Sequence, residues 1–377
     1  MLLPYEESLS IEYLSRIFDR NRISNCYKYF WFIAIAEKIS EEKTEFSYDE
    51  LITEMIVTAW YMVTEYHLRL GPCNTVDNLE EVVKYLYEVL WKKQIPSTEK
   101  REILREKLKN ETDRKYIQFK NTLTNNVPYC LQTPFYSPGN KLLKNPGKNT
   151  IEEINREQRL LYYFGEYRRL NTIIEIDDEW AGYLIRNREI ILSWARYHLV
   201  GYLQDRNPAV PGITDKITPP LTRDLKRVAK YWNAVINADG SLKDIYEKKN
   251  LTEISISIDH FIPWQYVAHD ELWNLSPTTK SANSSKGNNL PDWNTYFSEL
   301  LELEYRAYLL RNANPAVAKE FETCAKYHLN NSEIRNSLYT NDLSRETFGE
   351  RLCNVVRPVY TAAKNCGFRE WTMGTGA

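Results

Sequence analysis

The sequence predicts a mainly α-helical protein with a small α+β insert, and three observations carry that expectation. Apolar residues recur at helical spacing over 9–112 and again after 291, the i, i+3, i+4 rhythm of an amphipathic helix. Two-residue alternation is clearest at Ile254, Ile256 and Ile258, with Ser255, Ser257 and Asp259 between them, as a half-buried strand requires. Clusters of Pro, Gly and Asn mark breaks in the helical regions, most densely between 125 and 150.

In order along the chain, Leu9, Tyr13, Ile17 and Phe18 open a helical bundle. It continues through Tyr27–Ile39, Tyr48–Leu70 and Leu79–Trp91, with Pro72 and Pro96 as breaks that no helix continues through. The segment SPGNKLLKNPGKNT, with Lys141, Lys144 and Lys148, reads as a loop or boundary. TIIEI at 172–176 is a short strand, and Asn187–Gln204 is a helix ended by Asn207-Pro208. A further helix over Leu221–Val235 carries Arg223, Lys226, Arg227 and Lys230 at separations that share one face, a basic strip or a solvated charge stripe. LKDIY is a strand candidate before the clearer ISISI. Helices return at Tyr296–Leu310, Ala316–His328 and Arg345–Lys364. The chain then divides into a helical N-terminal domain (1–125), a linker and mixed, mostly helical region (126–220), the α+β insert (221–300) and a C-terminal helical region (301–377).

Composition narrows the function classes. The 377 residues exceed an ordinary single domain, and 43% hydrophobic with 27% charged residues is a globular balance. A net charge of -2 provides no whole-protein attraction to nucleic acid, so any phosphate contact must come from local patches. Six cysteines without a CxxC pair argue against a zinc ribbon or a disulfide framework and suit reduced thiols in the cytoplasm. The start of the chain lacks the basic and apolar regions of a secretory signal. YFWFIAIA at 29–36 is too short to span a bilayer, so it reads as a buried helix and no membrane anchor is expected.

The chemistry concentrates in 254–291. Asp259 and His260 end the alternating strand with side chains diverging. A second strand fits Trp273–Leu275, and Thr278 or Thr279 can cap a short helix that places Asn283 and Lys286 one turn apart. Phosphodiester hydrolysis needs a deprotonated water and something to absorb charge on the phosphoryl group. His260 can take the water's proton near neutral pH, and Asp259 with Asn283 offers the hard oxygen donors that suit Mg²⁺ or Mn²⁺. Lys286 is a candidate to neutralise phosphate, and Asn274 a candidate brace for the loop that holds the histidine. His269, beside Asp270 and Glu271, either contacts substrate or pins the loop. Arg223, Lys226, Arg227, Lys230 and His269 are thus the candidate DNA contacts. His67, His198 and His328 read as core or helix-end residues.

These residues resemble the ββα-metal nucleases of the HNH family. The closest likeness is to the HNH domain of Cas9-type RNA-guided nucleases, where a DH pair is followed by a central Asn and an N-x-x-K segment ending in a hydrophobic-Pro pair. Asp259-His260, Asn274, Asn283-Ser284-Ser285-Lys286 and Leu290-Pro291 occupy those positions. The resemblance implies a ββα-metal nuclease core flanked by helices, Asp259 and Asn283 as metal ligands, His260 as general base and Asn274 as the brace. Many HNH proteins have a histidine where Asn283 stands, or CxxC pairs that fix the loop with zinc. Without either, Mg²⁺ or Mn²⁺ is favoured over Zn²⁺ or Ni²⁺, and the loop is expected to hold by packing of Phe261, Trp264, Tyr266 and Trp273. The rest of the chain is too short for an RNA-guided nuclease and shows no strongly basic channel. It resembles bacterial stand-alone HNH proteins, whose members look like antiviral defence or mobile-element proteins.

The leading expectation is therefore metal-dependent DNA cleavage. A catalytically inactive DNA-binding or partner-binding module and an RNA-directed nuclease using the same site are the alternatives. Because one such site cuts one strand at a time, a double-strand break implies a homodimer or sequential nicks. The helical region over 9–112 is expected to recognise DNA, a regulatory protein partner or a regulatory signal, three readings the sequence does not rank.

Overall fold

A computed structural model describes residues 3–20, 23–125, 127–136, 148–157, 159–219, 224–251 and 256–374. The chain forms two units: one holds residues 1–208 with 216–219, the other 209–215 with 220–377.

The first unit is built on helices α1 (Ile11–Arg16), α2 (Tyr27–Lys38), α3 (Tyr48–Thr64) and α4 (Asn78–Lys84), the last running into a π-helical turn over Tyr85–Leu90. Helices α5 (Arg101–Lys109), α6 (Arg114–Leu123), α7 (Val127–Cys130), α8 (Thr133–Tyr136) and α9 (Lys148–Ile154) follow, then α10 (Asp178–Arg186) and α11 (Arg188–Arg206). Strands β1 (Glu45–Ser47), β2 (Tyr162–Phe164) and β3 (Ile173–Ile176) make an antiparallel sheet in the order β1-β3-β2. The YFWFIAIA run lies inside α2 and is buried throughout, packed against α3 and α11. Helix α3 starts where Ser47 and Glu50 exchange side-chain and backbone bonds, a capping box that satisfies two donors the helix cannot. No helix among the described residues is long and apolar enough to cross a membrane.

The second unit contains α12 (Lys226–Ala238), β4 (Ile256–His260), α13 (Trp264–Val267), β5 (Leu275–Thr279), α14 (Lys280–Lys286) and β6 (Leu290–Pro291). Helices α15 (Trp293–Ala313), α16 (Pro315–His328), α17 (Ser332–Leu338) and α18 (Arg345–Asn365), and the short β7 (Glu370–Trp371), complete it. The β4–β5–α14 insert has no core of its own. Phe261, Ile262, Trp273, Leu275 and Ala282 belong to one buried cluster with Trp232 of α12, Leu300 of α15, Phe321 of α16 and Leu352 of α18. Trp232 also donates its indole N–H to the Leu275 carbonyl at 2.8 Å, fastening α12 to β5. At the far end β6 pairs in parallel with β7, Leu290 opposite Glu370 and Pro291 opposite Trp371.

Some expectations shift. Helix α12 starts at Lys226, and Arg223 lies outside the described residues, as do Ile254, Ser255, Lys141 and Lys144. The 300/301 boundary falls inside the continuous helix α15. LKDIY is not a strand: Asp244 turns the chain by accepting from the N–H groups of Tyr246 and Glu247, and only an isolated bridge joins Lys243 to Asn250. The second strand begins at Leu275 and runs through SPTT, while Leu272–Asn274 is a 3₁₀ turn.

Candidate active site

β4 and β5 pair antiparallel, from Ile256 opposite Thr279 to His260 opposite Leu275. The long connection that follows His260 is closed by Asn274, which is completely buried. Its backbone carbonyl accepts from Phe261 N–H at 2.9 Å, its side-chain oxygen from Ile262 N–H at 2.7 Å, and its amide donates to the Ile262 carbonyl at 2.8 Å. A carboxamide presents the same donor and acceptor as a peptide group, so Asn274 extends the ladder by a side chain. Within the connection Phe261, Tyr266 and Trp273 are buried and Trp264 is half-buried.

Helix α14 begins at Thr279, whose hydroxyl accepts from Ala282 N–H at 3.1 Å, and stops at Gly287, which takes φ +52°. Its seven residues are enough to place Asn283 and Lys286 one turn apart. On β4, Ser257 and Asp259 share a face. The two elements meet in register: the Asn283 amide donates to Ser257 Oγ at 2.8 Å and to the Ile258 carbonyl at 3.4 Å. Lys286 Nζ lies 2.9 Å from Asp259 Oδ1. The structure thus brings Asp259, Asn283 and Lys286 together on one strand–helix seam.

Lys286 does not face solvent. It is 0% exposed, and besides Asp259 it donates to the His260 carbonyl at 2.7 Å. The side chain expected to neutralise phosphate instead balances the adjacent carboxylate and fixes the backbone between the two site residues. The second Asp259 oxygen accepts from the Tyr246 hydroxyl at 2.6 Å. Burial, and then the Asp259 charge, hold the Tyr246 phenol protonated well above its usual range, so it acts as a fixed donor.

His260 is 7% exposed, and its Nε2 lies 2.8 Å from Asp270 Oδ1. A carboxylate only accepts, so this contact places a proton on Nε2, and in the neutral imidazole the lone pair then belongs to Nδ1. Asp270 is itself anchored, since its carbonyl is 2.9 Å from His328 Nδ1 at the end of α16. The neighbouring Glu271 accepts from the backbone and side chain of Asn330. His269 is half-buried, its ring 5.8 Å from that of Trp273. Asp270 and Tyr246 are site residues that sequence reasoning does not single out. A carboxylate ten residues after the DH pair is the available signal for the first; Tyr246 gives none.

Of the basic strip, Arg227 is engaged at the surface, its guanidinium 4.0 Å from the Tyr327 ring centre and 3.9 Å from Asp224. Lys226 and Lys230 are exposed on α12.

Among the described residues no group of three or more His, Cys, Asp or Glu side chains is arranged to hold a metal ion. An ion here would rest on Asp259, Asn283, water and phosphate. The donor set fits such an ion. A carboxylate offers about four lone-pair sites, of which Lys286 and Tyr246 use two. The Asn283 nitrogen is committed to β4, which leaves its oxygen as the ligand atom. One carboxylate and one amide oxygen are the hard, sparse donors that a water-retaining Mg²⁺ accepts.

An antiparallel strand pair followed by a short helix, with Asp259, Asn283 and Lys286 at the seam and His260 beside it, is a ββα arrangement. Residues 243–292 match the family model described as HNH endonuclease. No curated protein matches the chain, and no solved structure does.

Proposed function

We propose that the chain is a metal-dependent endonuclease that hydrolyses phosphodiester bonds in DNA, with Asp259 and Asn283 as ligands of Mg²⁺ or Mn²⁺ and His260 as general base. One observation carries the reading: β4 delivers Asp259 and His260 side by side, Asp270 orients the imidazole, and α14 brings Asn283 to the face that Asp259 occupies. When bound, the ion supplies a Lewis acid that offsets charge on the phosphoryl oxygens. His260 Nδ1 takes the proton of the attacking water, and Asp270 stabilises the imidazolium that results. Asn274 keeps the chain after His260 from shifting, because positioning errors of about 1 Å cost about 10²-fold in rate. Lys286 and Tyr246 hold the Asp259 carboxylate in one orientation.

The test is plasmid cleavage in Mg²⁺, in Mn²⁺ and in EDTA, with His260→Ala beside the wild type and an RNA of similar length as parallel substrate. Ion-dependent cutting of DNA that His260→Ala abolishes supports the proposal. Undiminished cutting by the variant overturns the assignment of the base, and preferential digestion of RNA overturns the assignment of the polymer.

A second reading, a nucleic-acid-binding or partner-binding module without turnover, draws on the engagement of both Asp259 oxygens by Lys286 and Tyr246. It predicts salt-dependent DNA affinity and no cleavage in any divalent ion.

A further inference from the structure

A groove in the first unit has the composition of a nucleic-acid cradle. One wall is α6, where Arg114, Gln118, Asn121 and Asn125 follow one another along a face that extends just past the helix end; the opposite wall holds Tyr167 and Arg169. The cavity is about 790 Å³ and open to solvent. Arg114, Lys115 and Arg169 line it, and among the described residues no carboxylate does.

The nearby acids are committed elsewhere. Asp113 caps α6 through Tyr116 N–H and accepts from Tyr85 OH, Glu111 accepts from the Trp91 indole, and Glu166 pairs with Arg168. Neither Arg114 nor Arg169 has an ion pair among the described residues. The first turn of α6 carries Arg114 and Lys115, and the capping Asp113 carboxylate offsets the partial positive charge of the helix start.

Two of the cations are held in position. Lys115 Nζ sits 4.6 Å from the Tyr85 ring centre. Arg169 adopts φ +53° in a turn closed by Arg168 N–H donating to Thr172 Oγ1 at 2.8 Å, with Thr172 fully buried beneath it. Beside these cations stand two carboxamides, Gln118 and Asn125, able to pair with base edges, while the Asn121 amide nitrogen donates to the Ile117 carbonyl; a half-buried tyrosine offers a stacking face. Cations for a backbone, amides for bases and an aromatic face suit a splayed single strand better than a duplex, whose base edges lie inside its grooves.

We propose that this groove binds a single-stranded nucleic-acid segment, its phosphates on Arg114, Lys115 and Arg169. The proposal rests on the reading of the chain as one that acts on nucleic acid, but not on turnover. It supplies the local positive patch that a net charge of -2 requires.

The experiment measures fluorescence anisotropy of labelled 20-nucleotide single-stranded DNA, single-stranded RNA and duplex DNA. The full chain carries His260→Ala and is kept in EDTA, so that no cleavage intervenes. The added pair Arg114→Glu and Arg169→Glu is expected to weaken single-strand binding at least tenfold. It should also lower the salt slope by about 1.4, at about 0.7 for each phosphate set free. The pair Arg114→Lys and Arg169→Lys should retain most of the affinity. All of these side chains are exposed, and a thermal melt verifies folding. Unchanged binding in the charge-reversed protein overturns the proposal, and tighter binding of duplex than of both single strands overturns the choice of ligand. Cleavage by otherwise wild-type protein is scored separately. Binding that depends on the groove without any cutting sinks the nuclease reading alone, and cutting with groove-independent binding sinks this proposal alone.

Discussion

Lys286 holds Asp259 from a position out of solvent: its ammonium is 2.9 Å from Oδ1, with side-chain exposures of 1% and 4%. The same ammonium reaches the His260 carbonyl, so one buried charge fixes two consecutive residues whose side chains diverge. Breaking the pair therefore disturbs stability and site geometry together.

Lys286→Met leaves the Asp259 carboxylate buried without its counter-charge and is expected to destabilise the second unit by about 3–5 kcal/mol. Urea unfolding reads the loss as a lowered midpoint. Asp259→Leu combined with Lys286→Met should recover much of it, since no isolated charge remains. A double variant as unstable as the sum of the two single variants would refute the ion-pair account.

Asp270→Asn retains the size of the side chain but removes the carboxylate that selects Nε2–H on His260. Cleavage is expected to fall by about 10²–10⁴-fold, with a thermal midpoint close to that of the wild type. An unchanged rate would remove Asp270 from the site.

Asn274→Ala strips partners from the buried Ile262 N–H and carbonyl, each worth about 1–3 kcal/mol when left unsatisfied. The expected loss is about 2–5 kcal/mol in urea unfolding. Asn274→Asp sets a fully buried carboxylate against the Ile262 carbonyl without a counter-charge, so near neutral pH it should be at least as unstable as alanine. Equal stabilities for all three proteins would contradict the role of a brace.

Glu304 on α15 is buried, its Oε1 has no hydrogen-bond partner, and burial raises its carboxyl pKa well above the usual range. An unfolded glutamate titrates near about 4.3. The fold favours the neutral form, a contribution fully present below the unfolded value and lost as pH rises through the higher folded one. Glu304→Gln removes the titration. Its unfolding free energy, measured from pH 4 to pH 8, should therefore gain on the wild type as pH rises. A difference that stays constant across that range would contradict this account.

Much of the second unit is legible because its signals are local. The strand ending in Asp259 and His260, the Thr279 cap and the spacing of Asn283 and Lys286 each depend on a few adjacent residues and are present over 256–286, while Ile254 and Ser255 lie outside the described residues. The second strand lies after its expected place, because Leu272–Asn274 forms a 3₁₀ turn and the strand runs on through Pro277. Pro277 is tolerated since β5 is an edge of a two-stranded sheet and needs no ladder donor on its outer side. LKDIY has the composition of a strand, but the buried Asp244 carboxylate, which also accepts from Thr278 and from Thr279 N–H, redirects the chain. The contacts that complete the site are beyond local reasoning. His328 reaches Asp270 from the end of α16, and Lys286 turns inward because β4 presents a carboxylate beneath it. A phosphate contact there requires an exposed lysine, which spacing alone does not establish.

The pairing of β6 with β7 has a consequence for biosynthesis. Trp371 stacks on Tyr296 at 5.8 Å and meets Tyr246, the donor to Asp259, edge-on at 5.2 Å. Leu290 and Asp292 donate backbone hydrogen bonds to Arg369 and Trp371. A ribosome has thus released residues 254–291 long before the wall behind Asp259 exists. The surroundings of Tyr246, and through it of Asp259, are therefore complete only once residues 369–371 have been made and paired with β6.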